Sequence, residues 1–134
     1  MPDLIDLEIA TPERQLVREQ VSQVQLPGKS GYMGILPGHA ALLGQLGTGF
    51  LTFVLNGRKH TLSVHGGFVE VLPDHVRVLA NVAERAEEID IEKAKADLAR
   101  ANQEVINPAL GVDPAVALEA MAWAQARVDA AAQK

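Results

Sequence analysis

Residues 50–64 read FLTFVL, then Asn56-Gly57, then RKHTLSV. Asn and Gly both tolerate the positive φ of a type I′ turn, so the pair predicts a two-residue hairpin between strands Phe50 to Leu55 and Arg58 to Val64. The same punctuation recurs on either side. Pro27-Gly28, Pro37-Gly38, Gly47-Thr48-Gly49, Gly66-Gly67 and Pro73-Asp74 break the stretch from Leu4 to about Ala80 into short segments, leaving room for roughly seven to ten strands. Within them apolar and polar residues alternate. Ile5, Leu7 and Ile9 share one face and Leu4, Asp6 and Glu8 the other, while Val76 and Val78 oppose Arg77, the pattern of half-buried strands. Gly66-Gly67 separates Arg58 to Val64 from Phe68 to Leu72, which are expected as two strands. Alternation of this kind predicts an all-β sandwich.

After Ala80 the period changes. Glycine is absent until Gly111 and alanine becomes frequent. Asp90 stands as an N-cap, and Ile91, Ala94, Leu98, Ala101 and Val105 fall on one helical stripe of about four turns. Asn107-Pro108 stops that helix, and Asp113-Pro114 starts a second with a capping residue followed by Pro at its first position. The apolar stripe of the second helix is expected at Leu118, Met121, Ala122 and Val128, with Gln125 as a polar interruption. The expected organisation is a β-sandwich over 1–84 and an antiparallel two-helix hairpin over 85–134. Small residues bury little area, at about 25 cal/mol per Å², so the hairpin is expected to be held weakly and to be movable.

The chain has 134 residues, a net charge of -5, four histidines and no cysteine. That charge, with Lys and Arg scattered, excludes a large nucleic-acid footprint. Without cysteine there is no disulfide or thiolate metal site. Met1 to Ala10 lacks the basic and apolar regions of a secretory signal. Every apolar window is interrupted short of the roughly 18 residues needed to span a bilayer, so membrane association is expected only through a partner.

No catalytic constellation emerges. His39, His60, His65 and His75 lack metal-ligand spacing, and a cupin-type barrel would need a His-x-His element that is missing. Ser63 and His65 share a strand face as a formal nucleophile and base, but no nucleophile elbow surrounds the serine. Gly44 to Gly49 fits neither phosphate-binding fingerprint. The charges Glu84, Glu87, Glu88, Asp90, Glu92, Lys93, Lys95 and Arg100 gather where sandwich and helices meet, and a solvated helix face accounts for them. No metal site and no catalytic residue is expected.

The stretch from Gly31 to Ala40, GYMGILPGHA, followed by Leu42-Leu43, resembles the epsilon subunit of F-type ATP synthases. Ser63 to Val71, SVHGGFVEV, is similar to that family's Gly-Gly strand, and Val76 to Glu88 to its last strand. The likeness extends over the whole chain in order and in its two-helix ending. It implies a non-catalytic, regulatory central-stalk subunit that touches the gamma subunit and the c-ring. Its hairpin would change position, reach the catalytic-head alpha/beta subunits and restrain ATP hydrolysis, on the cytoplasmic face of a bacterial inner membrane. Tyr32, Pro37, Gly38 and His39 would face the ring, Tyr32 standing where members often carry an acid.

Some members bind ATP on the hairpin. The corresponding residues here are Ile89, Asp90, Lys93 and Ala94, with Glu84 upstream and Arg100 and Arg127 as basic partners. Lys93 replaces an Arg and loses its planar fork. Trp123 replaces a second Arg on the last helix, with stacking on a base or packing between the helices as its possible uses. Weak ATP binding, no tighter than about millimolar, is the expectation, and no other cofactor is implied. Arg127 and Lys134 are the second helix's only cations, so strong inhibition through an acidic partner surface is not expected. The alternatives are a free-standing ATP-sensing domain and, less well supported, a small β-sandwich enzyme.

Overall fold

A computed structural model of the chain describes residues 3–133; Met1, Pro2 and Lys134 lie outside the described residues, and with them the ends of both expected units. The strands are β1 (Ile5–Ala10), β2 (Gln15–Val21), β3 (Gln23–Gly28), β4 (Gly31–Ile35), β5 (Leu42–Gln45), β6 (Thr48–Leu55), β7 (Arg58–Leu72) and β8 (His75–Arg85). They are hydrogen-bonded in the order β2-β1-β8-β7-β6-β3-β4, with β5 on β7. β1 and β8 run parallel and the other paired strands antiparallel.

Asn56, at φ 52, and Gly57, at φ 77, make the β6–β7 turn, as their residue types require. Gly66-Gly67 does not end a strand, contrary to expectation. β7 continues through it, and this is where its partner changes: β6 pairs as far as His65 and β5 takes over from Phe68. Gly67 has φ 119, and a Cβ there would collide with the Leu79 carbonyl. A bend inside one long strand lets a continuous hydrogen-bonded sheet fold over into two layers. Between them lie Ile5, Leu7, Ile9, Leu26, Ile35, Leu51, Leu62, Val64, Val69, Val71, Val76 and Val78, all buried.

A one-turn 3-10 segment, Ala86–Glu88, leads to α1 (Ile91–Ile106). The Asp90 carboxylate accepts the Lys93 N–H at 3.1 Å and caps α1. A second 3-10 turn, Pro108–Leu110, ends on Gly111 at φ 81, and Asp113 caps α2 (Pro114–Ala132) by accepting the Ala115 N–H at 2.8 Å. α2 touches both α1 and the β6–β7 part of the sheet.

The α1 stripe is the expected one, with Ala94 and Ala101 fully buried. The α2 stripe is the expected one only at Val128, which packs on the cluster of Ile89, Ala94, Ala130 and Ala131. The buried residues of α2 are Ala117, Ala124, Ala126, Ala130 and Ala131, whereas Leu118 is exposed. Met121, Ala122 and Gln125 line an open groove of about 590 Å³ with Leu98 and Lys95. A helix that packs against two neighbours uses two faces. Here alanines serve them because only a small side chain allows both approaches to be close.

Candidate functional site

The residues with unusual surroundings lie where the hairpin meets the sandwich. Arg127 of α2 is the centre. Its side chain is only 12% exposed, and its guanidinium donates from Nε to Glu84 of β8 at 2.6 Å and from Nη1 to Asp97 of α1 at 3.5 Å. One side chain thus ties α2 to both of its neighbours. Asp97 also accepts from Lys93 at 2.9 Å and Arg100 at 2.8 Å. The hydrogen bond from Lys93, with the nearby Arg100 charge, holds the Asp97 carboxyl below its ordinary value of 3.8. Of the expected nucleotide-contacting residues, Glu84, Lys93, Arg100 and Arg127 are therefore brought together, with each cation already facing a carboxylate. Ile89 and Ala94 are buried in a small apolar cluster with Ala130, Ala131 and Phe50, and Asp90 is occupied as the cap.

The linker is fastened separately. Arg14, just ahead of β2, forks the Glu88 carboxylate at 2.9 and 3.0 Å, and Glu88 also accepts the Arg85 N–H at 3.0 Å. The Arg14 hydrogen bonds hold the Glu88 carboxyl below its ordinary value of 4.5. The same pairing raises Arg14. Both partners are well exposed, so this pair contributes little to stability.

His65 of β7 is the third link. Its Nε2 donates to Glu119 of α2 at 3.0 Å, its Nδ1 shares a hydrogen bond of 2.7 Å with Thr48 of β6, and its ring lies 5.7 Å from that of Trp123. Trp123 thus packs on the sandwich. Ser63 gives His65 no nucleophile: its hydroxyl is buried and has no partner. The other histidines are also occupied, His60 stacked on Phe53 at 5.1 Å, His75 within 3.7 Å of Asp6, and His39 bonded to the Ala40 carbonyl at 2.7 Å. Among the described residues, no three His, Cys, Asp or Glu side chains are placed to hold a metal.

The expected ring-facing residues lie on β4 and on the connection that follows it. Tyr32 is 51% exposed on β4 and packs on Phe50, 5.7 Å between ring centroids, accepting the Phe50 N–H at 3.2 Å. Pro37, Gly38 and His39 lie in the β4–β5 connection, where Gly38 donates to the Pro73 carbonyl at 2.7 Å.

A further surface escaped the sequence reading. Leu43, Phe68 and Leu79, 75%, 57% and 49% exposed, line a shallow cleft with Glu70 and Arg77. They face away from the core residues Val69 and Val78. Apolar residues on both faces of one strand were the available signal, since a sheet with one wet face has polar residues there.

The class the fold defines is a β-sandwich with an appended helical hairpin, ion-paired at the joint. The chain belongs to the ATP synthase epsilon chain family: the model for the ATP synthase, Delta/Epsilon chain, beta-sandwich domain matches residues 4–86. It is 64% identical to the ATP synthase epsilon chain of Solibacter usitatus (strain Ellin6076) over 134 residues, 100% of both chains. With that of Koribacter versatilis (strain Ellin345) it shares 47% over 103 residues, 77% of this chain and 72% of the relative. Among solved structures, a chain of the Euglena gracilis mitochondrial ATP synthase, determined with OSCP, F1 and c-ring, matches with TM-score 0.76 at 29% identity, covering 92% of this chain and 78% of that one. A chain of the Tetrahymena thermophila mitochondrial central stalk and c-ring shares the fold, with TM-score 0.54 at 14% identity, 67% of this chain and 71% of that one. The protein is accordingly a non-catalytic stalk subunit of the membrane-bound ATP synthase and not an enzyme by itself. No described helix is long and apolar enough to cross a membrane.

Proposed function

We propose that this subunit couples the central stalk to the c-ring through its sandwich, and that its hairpin changes position to restrain ATP hydrolysis modestly. The observation that carries the reading is the contrast at the joint: a large-residue core in the sandwich against alanine contacts, Arg127 and a His65–Glu119 bond under the hairpin. Such a contact is reversible for a few kcal/mol. The Leu43–Phe68–Leu79 surface suits the gamma subunit and the Leu36–His39 turn the c-ring, since Pro37 and Gly38 preset the turn's shape. The hairpin reaches the alpha/beta head. With the c-ring in a bacterial inner membrane, the subunit is peripheral on its cytoplasmic face.

ATP binding is weak in this reading, no tighter than about millimolar, because Asp97 and Glu84 already engage Lys93, Arg100 and Arg127. Calorimetric titration of the parent and of Lys93→Arg tests this; micromolar binding by the parent contradicts it. For the restraint, the chain is truncated after Asn107 and ATPase activity of the assembled complex is measured. A rise of up to about fivefold is expected, equivalent to roughly 1 kcal/mol of coupling. No rise contradicts regulation by the hairpin, and a far larger one contradicts modest restraint.

A further inference from the structure

The sheet face beneath α2 carries Phe50 and Thr52 of β6 beside Ser63 and Thr61 of β7, in register, with His65 at its edge. Alternation places these residues opposite the core residues Leu51, Phe53, Leu62 and Val64. Thr61 is 4% and Ser63 0% exposed, and neither hydroxyl has a hydrogen-bond partner. The helix supplies none. Its buried residues are all alanines, whose side chains neither donate nor accept, and none of its backbone carbonyls is bonded to either hydroxyl. His65, two positions further along β7, is satisfied by Thr48 and Glu119.

From this arrangement we infer that Thr61 and Ser63 are a built-in release device: they lose water when α2 docks, make no hydrogen bond in return, and so keep docking only marginally favourable. The inference rests on the movable hairpin proposed above and assigns its tuning to two residues. Each orphaned hydroxyl shifts the balance toward release by about fivefold or more. The device works in both directions. Once α2 leaves, Thr52, Thr61, Ser63 and His65 all regain water, so the uncovered face is soluble where a Leu or Val face would invite aggregation.

The test is amide hydrogen exchange in the full chain, comparing α1 and α2 with β1 and β8. Thr61→Val keeps the shape and removes the hydroxyl, and Ser63→Ala removes the other. Each is expected to lower the opening frequency of the hairpin by at least about fivefold relative to the parent. Thr61→Ser keeps the hydroxyl and should give no slowing. Hairpin amides that open independently of β1 and β8 in the parent, but no less often in both Thr61→Val and Ser63→Ala, would overturn the inference alone. Hairpin amides that exchange only together with β1 and β8 in the parent would overturn the movable hairpin and this inference with it.

Discussion

The sandwich and the hairpin are made from the same chain by opposite means. The sandwich is closed by Leu, Ile and Val from nearly every strand, interlocked between two layers. The hairpin is closed by alanines, and its strongest tie to the sheet is charged. Deep apolar packing gives a rigid body because every side chain is held by many neighbours, whereas small side chains over a polar face leave most of the holding to a few removable bonds. The hairpin movement proposed above draws on both kinds of contact.

Substitutions should separate the two regions, beginning with the core. Leu51→Ala, at a fully buried position, should cost about 2–5 kcal/mol of global stability, read as a lowered denaturant midpoint with hairpin and sandwich lost together. A smaller and strictly local effect is expected from Arg127→Met. It should cost on the order of 1–2 kcal/mol of hairpin docking, after allowance for partial exposure of Glu84 and Asp97. The hairpin amides should then exchange faster while those of β1 and β8 do not. Equal acceleration in both regions would erase the contrast. Asn56→Ala forces alanine into the left-handed turn at φ 52, and should cost about 1 kcal/mol in thermal stability, with Asn56→Gly nearly neutral.

The smallest effect is one of acidity. Glu88 and Asp97 have lowered values in the folded chain, so the stability they contribute is present above their ordinary 4.5 and 3.8 and is lost as pH falls through the lowered values. Below about pH 4.5 the linker and α1 should loosen before the apolar core does, and Glu88→Gln should remove the linker's share. Helix content that falls at the same pH in Glu88→Gln and parent, with no change in slope, would show that the Arg14 fork does not matter.

The sandwich was largely legible in the sequence because its signals are local and of period two. Ile5, Leu7 and Ile9, the Asn56-Gly57 turn, and the caps Asp90 and Asp113 all do what their residue types require. The Gly66-Gly67 bend was misread since a glycine pair marks a break and a bend alike until the partner strands are known. The buried stripe of α2 was legible only at Val128, for a different reason. Leu118 and Met121 are the larger apolar residues, but a helix with two close neighbours buries its smallest ones. The junction residues Glu84, Lys93, Arg100 and Arg127 were legible one by one, while the meeting of three cations on Asp97 needs both helices in place.

Movement of the hairpin against a fixed sandwich, as proposed above, can be measured directly. Because the chain has no cysteine, Glu19→Cys on β2 and Ala122→Cys on α2 give one defined pair of spin labels. Pulsed electron paramagnetic resonance would then measure their separation in the free chain and in the assembled ATP synthase. A single narrow distance in the free chain, joined by a second, longer one in the complex, is the predicted result. One unchanged narrow distance in both, with and without turnover, would show that the hairpin stays docked.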